Sequence, residues 1–224
     1  LILTNRKLVF AIYLNPKLKG AVTTYLTVSD RIMCAILLTK CCPVSIINHY
    51  APDETKPLSK KLAHWDLLSN TIRDLPSDAI KIVTGDANLR WHGRHEGEED
   101  VLGPHIFGQE IDYLAEHKHG NRDLGVSFLK SHKLHFLNSY YYKPQGKTAT
   151  FRNPFCKHGS FGDRYPSVFT HTVLDQVFGD KAARAACTNV QARKTFTTKA
   201  GIWYLKPLLG SSTVPAIKLS KALS

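Results

Sequence analysis

Two apolar runs, VSIINHY (Val44–Tyr50) and IKIVT (Ile80–Thr84), flank the stretch KPLSKKLAHWDLLSNTIRDL, and no other feature of the sequence constrains the fold as much. Both runs are rich in β-branched residues and read as strands. Between them Leu58, Leu62, Trp65, Leu68 and Ile72 recur at three- and four-residue spacings. That period predicts an amphipathic helix with those five side chains inward, closed by Pro76. Strand, helix, strand is the signature of an α/β layer. Further strands are expected over Leu8–Leu14, Ala21–Val28 and Met33–Leu38. Later in the chain they are expected in HFLNSYYYK, in KTATFRN and in VLDQVFG. A second helix is expected over Arg122–His132. Leu89 to Gly108 is polar, rich in Gly and His and without period, so it reads as a long loop.

At 224 residues the chain suits a single α/β core. It has no apolar stretch near the roughly 20 residues that cross a bilayer, so no membrane partner is expected. Net charge is +12, and the basic residues are unevenly placed. After Asp180 there is no Asp, Glu or His, yet eight Lys and Arg follow. Such a cationic surface attracts polyanions, nucleic acid first. The five cysteines form no C-x-x-C pair, which supports neither a disulfide framework nor a zinc ribbon. A reducing compartment, nuclear or cytoplasmic, is the expectation. The opening LILTNRKLVFAIYL is broken by Asn5, Arg6 and Lys7, reads poorly as a signal peptide, and suggests a piece of a longer protein.

Chemistry-bearing residues collect where expected strands end, the usual place for sites in α/β sheets. Four stretches qualify: Asn48-His49-Tyr50-Ala51-Pro52, Gly85-Asp86-Ala87-Asn88, Ala149-Thr150-Phe151-Arg152 and Val173-Leu174-Asp175-Gln176. A carboxylate such as Asp86 can deprotonate a water or hold a hard cation. Asn88 and Tyr50 can donate to a phosphoryl oxygen. Asp175, in an apolar strand, needs a partner. Each of these residues taken alone is also ordinary turn chemistry. The group Trp91-His92-Gly93-Arg94-His95-Glu96 reads as a solvated loop and not a metal site, since no helix sets its two His at ligand spacing.

The order of these stretches resembles the endonuclease/exonuclease/phosphatase superfamily. Within it, the chain resembles the apurinic/apyrimidinic-endonuclease-like domain of non-LTR (LINE-type) retrotransposons. The likeness runs from about Leu8 to Arg193 through AIYLNPKLKGAV, VSDRI, SIINHYAPDE, IVTGDANLRWHG, EDVLGPHIFG, HKLHFLNSYYYKP, TATFRNP and VLDQVFGDK. It implies a four-layer α/β/β/α sandwich lacking its first strands, over residues 1–205, with 206–224 a tail, of which Ser211–Ser224 has little to pack and is expected to fray. It implies a metal-dependent DNA endonuclease using Mg²⁺ or Mn²⁺, with DNA and a fused or neighbouring reverse transcriptase as partners. It also implies catalytic roles for Asp86, Asn88, Tyr50 and Asp175, the last as orienter of a catalytic His. Asp86 is the one metal-ligand candidate.

Two departures from the family's pattern predict impaired catalysis. The family carries a magnesium-binding Glu on a strand before its first motif here, and this sequence starts after that point. Its terminal Ser-Asp-His box would fall near Lys199-Ala200-Gly201, where neither acid nor imidazole occurs. Loss of one member of a catalytic unit commonly costs orders of magnitude. The alternative reading is thus a catalytically inactive, nucleic-acid-binding relic. Asn48, Arg90, Lys143, Lys147, Thr150 and Arg152 are the candidate DNA contacts; Lys143, Lys147 and Arg152 interleave with Tyr140, Tyr141, Tyr142 and Phe151, and such a set on a sheet edge can track a backbone and stack on bases.

Overall fold

The computed structural model describes residues 2–3, 10–91, 93–107, 120–144, 148–152, 171–193, 202–207 and 217–221, some of the strands by their backbone course alone. The strands are β1 (Ile2–Leu3), β2 (Phe10–Tyr13), β3 (Val22–Thr27), β4 (Ile32–Leu38), β5 (Pro43–Tyr50), β6 (Ile80–Asp86), β7 (His135–Phe136), β8 (Phe151–Arg152), β9 (His171–Thr172), β10 (Asp175–Gly179), β11 (Cys187–Arg193), β12 (Ile202–Pro207) and β13 (Ile217–Lys221). The helices are α1 (Leu58–Arg73), α2 (Gly120–Ser131) and the short α3 (Lys181–Ala186).

A mixed sheet in the order β3-β4-β5-β6-β10-β7 forms the centre. β5 and β6 pair in parallel across the α1 crossover, while β4–β5 and β6–β10 are antiparallel. The strand–helix–strand expectation is therefore met. Continuous apolar runs are what a sheet covered on both faces requires, and β4 shows both coverings. Ile32 and Cys34 join the core under α1 and α2, with Trp65, Leu68, Phe128 and Leu129. The alternate residues Met33, Ala35 and Leu37 meet Ile12 and Leu14 from β2. A second sheet, β1-β2-β13-β12-β11, lies on that other face. The protein is thus an α/β sandwich, and the described residues supply three of its layers: helices, central sheet and second sheet.

Four local readings change. α1 buries Lys61, His64, Trp65, Leu68, Thr71 and Ile72, while Leu58 and Leu62 are exposed at 58% and 40%. Its inward stripe is turned about the axis because two polar side chains find partners on that side. Lys61 pairs with Glu54, and His64 Nε2 lies 3.1 Å from His49 Nδ1. HFLNSYYYK is a strand only at β7. It then tightens into a 3₁₀ turn at Leu137–Ser139, and the Asn138 carboxamide accepts Val177 N–H at 2.9 Å. The chain expected to fray contains β13, which pairs with both β2 and β12. The loop after β6 lacks regular structure, as its composition suggested, but it is tightly held. Leu89, Trp91, Val101 and Leu102 enter the core, and buried Glu98 takes two hydrogen bonds from Arg122, at 2.7 and 2.8 Å.

Candidate functional site

The parallel β5–β6 pair and the antiparallel β6–β10 pair set Tyr50 opposite Asp86, and Asp86 opposite Asp175. Cross-strand partners project from the same face of a sheet. Three of the four expected catalytic residues therefore form one transverse row at the strand ends, each half-buried. The fourth, Asn88, follows immediately. Its backbone is left-handed, at φ 48°, and its N–H is 3.2 Å from Asp86 Oδ1, an Asx-type turn. The Asn88 amide donates to Ala51 O at 2.7 Å, and Ala51 N–H donates to Asp86 O at 2.9 Å. Tyr-Ala-Pro and Gly-Asp-Ala-Asn are thus laced together.

Gly85 makes this lacing possible. Its φ of +135° suits glycine alone, and a Cβ there would sit 1.9 Å from His49 O. Across β10, Ala87 N–H donates to Leu174 O at 2.9 Å. Thr150 Oγ1 accepts the N–H groups of both Leu174 and Asp175, at 3.0 and 3.1 Å, and so sets the angle at which Asp175 enters the row.

The expected DNA contacts divide. Arg90 is exposed and lines a shallow cleft with Trp91, His105, Phe107 and Asn138. Lys143 is half-buried. Asn48 is 3% exposed and its amide donates to Ala11 O at 3.0 Å, so it ties the two sheets together and offers no surface to a nucleic acid. Thr150 is 4% exposed and acts on the backbone of β10 instead. Lys147 lies outside the described residues, as does the Arg152 side chain.

Two residues at the rim went unassigned in the sequence. Asn121, fully buried at the start of α2, donates to Pro52 O at 2.7 Å and Asn88 O at 3.5 Å, joining both site loops to a helix. Arg31 precedes β4, and Tyr50 N–H donates to its carbonyl at 2.9 Å. Its guanidinium lies 5.0 Å from the centre of the Tyr50 ring. The VSDRI segment was legible as part of the resemblance, but nothing local signalled that Arg31 stands beside Tyr50.

Among the described residues no three His, Cys, Asp or Glu side chains converge on one point. A hydrated Mg²⁺ needs only one or two carboxylates, and Asp86 and Asp175 are the two that the row would offer it. No helix of the described residues is long and apolar enough to cross a membrane.

This sheet sandwich, with its site row at the strand ends, is the fold of endonuclease/exonuclease/phosphatase-type nucleases. Among solved structures it is similar to the endonuclease domain of TRAS1, a telomere-specific non-LTR retrotransposon, at a TM-score of 0.51 and 15% identity over 90% of this chain and 70% of that one. It is also similar to the 3′-5′ exonuclease NExo from Neisseria meningitidis, at 0.52 and 16% over 86% of this chain and 64% of that one. A Neisseria NExo structure bound to product DNA hairpin matches at 0.52 and 14%, over 87% and 65%. The chain thus spans a little under two thirds of each Neisseria structure. At these identities the likeness is one of fold. No protein-family model matches the sequence, and no curated protein does.

Proposed function

We propose that this chain is a DNA-binding domain of the retrotransposon endonuclease type whose phosphodiesterase activity is impaired. The observation that carries the reading is the row Tyr50–Asp86–Asp175 with Asn88 laced to it, built by strand register and not by sequence proximity. A phosphodiester seated on the row would accept hydrogen bonds from the Tyr50 hydroxyl and from the Asn88 amide. The Asp86 carboxylate would take a proton from an attacking water. Charge building on the phosphoryl oxygens during in-line displacement then needs cations or further donors. The 44 residues after Asp180 contain no acid and no imidazole. Positioning survives and the stabilisation of the transition state is depleted.

The basic balance of the chain, +12 overall, favours DNA over a small phosphorylated substrate, since a duplex rewards many cations at once. A reverse transcriptase, fused or neighbouring, and residence in the nucleus or cytoplasm belong to the same reading. The test is equilibrium binding to a fluorescent duplex. Wild-type chain binds with an affinity that falls steeply with salt. Asp86→Asn binds several-fold tighter, because a carboxylate facing the phosphate is removed. Absence of wild-type binding would overturn the assignment to DNA, and unchanged affinity in Asp86→Asn would remove the phosphate from this row.

A further inference from the structure

We infer that Arg31 is the fourth member of the site row and a phosphate-binding residue, an inference that rests on the DNA-binding reading above. β4 and β5 pair with Ile32 opposite His49, so the next position in the antiparallel register sets Arg31 opposite Tyr50. The row then runs Arg31, Tyr50, Asp86, Asp175 across four neighbouring strands. Strands lie about 4.8 Å apart, which puts the Arg31 backbone roughly 10 Å from that of Asp86, within the span of a phosphate plus an extended arginine.

The electrostatics of the row call for such a group. Two carboxylates stand side by side at one end, and an incoming phosphodiester is itself an anion. Arg31 supplies the row's positive charge. Its guanidinium is half-exposed and braced over the Tyr50 ring, with Nη1 donating to Tyr50 O at 3.2 Å. Among the described residues no carboxylate forms an ion pair with it. A guanidinium has five N–H donors in a planar fork suited to two phosphate oxygens. Bracing on an aromatic face fixes that fork without neutralising it. The same brace orients the Tyr50 ring, so one arginine prepares two contacts to a single phosphate.

The experiment is a salt titration of duplex binding with wild type, Arg31→Gln, Arg31→Lys and Lys40→Gln. Lys40 is exposed at the tip of the same β4–β5 hairpin, at the end away from the row. Arg31→Gln is expected to weaken binding about tenfold at low salt and to lower the slope of log affinity against log salt by about one. Lys40→Gln leaves the slope unchanged. Arg31→Lys keeps the slope, since the charge remains, but binds more weakly, since the fork and the stack are lost. If wild type binds and Arg31→Gln keeps both affinity and slope, the inference is overturned while the DNA reading stands. If wild type does not bind, both fall together. Should Arg31→Gln fail to fold, Arg31→Lys decides: wild-type affinity in that variant overturns the inference.

Discussion

Gly85 and His64 show how single residues hold the site in place. Gly85 is paired with His49 across β5 and β6, and its positive φ and the His49 carbonyl 1.9 Å from any added Cβ exclude every side chain. Gly85→Ala is expected to destabilise the fold by about 3 kcal/mol or more, read as a lower urea midpoint, because backbone and not a flexible side chain must move. His64 and His49 are buried against each other between α1 and β5. Burial, and then the Arg31 charge, holds the His64 pKa down at about 4, against 6.5 unfolded. Burial, and then His64, pushes His49 well below its ordinary value too. At neutral pH both rings are uncharged in either state. As pH falls from 6.5 towards 4, the unfolded chain binds protons that the folded chain refuses, so stability is lost in that window. The His64 share is on the order of 2–3 kcal/mol at pH 4.5. His64→Phe should flatten the dependence between pH 7 and 4.5 in urea titrations; an unchanged dependence would place the acid sensitivity elsewhere.

At the scale of elements, α1 carries the plainest difference between pattern and packing. The apolar period predicted Leu58 and Leu62 inward, yet both are exposed, while Leu68 is fully buried. Leu62→Gln should therefore change stability by less than about 0.5 kcal/mol. Leu68→Ala should cost about 2–5 kcal/mol by thermal or chemical unfolding. The helix itself was legible because its spacing is local. Its rotation was not, because Lys61 and His64 are drawn inward by Glu54 and His49, partners supplied by other parts of the chain. The same limit explains the HFLNSYYYK segment, where strand-like composition yields to the Asn138 carboxamide reaching Val177. It explains the loop after β6 as well, which is polar in sequence but fastened by Arg122 to Glu98 and to the carbonyls of Trp91 and Gly93. Arg122→Ala leaves the Glu98 carboxylate buried without its cation, and a loss of about 3–5 kcal/mol is expected. Arg122→Met combined with Glu98→Leu should recover much of that loss.

At the scale of the whole molecule, the central sheet was readable from β4, β5 and β6, whose apolar runs need cover on both faces. The second sheet was much less so: β11, β12 and β13 are closed on β2 by pairings that span most of the chain. The site shows the same division. Asp86 and Asn88 were visible as a short box, and Tyr50 and Asp175 as members of an ordered series. Their alignment into one row is a property of register, as is the place of Arg31 beside Tyr50. On the proposed reading the row would hold a phosphodiester, while the residues after Asp180 offer no acid or imidazole for its cleavage. Supercoiled plasmid incubated with Mg²⁺ tests this directly, with EDTA and Asp86→Ala as controls. The account predicts plasmid that is retarded by the protein yet stays supercoiled, at a nicking rate no higher than that of Asp86→Ala. Mg²⁺-dependent nicking that disappears in Asp86→Ala would contradict it.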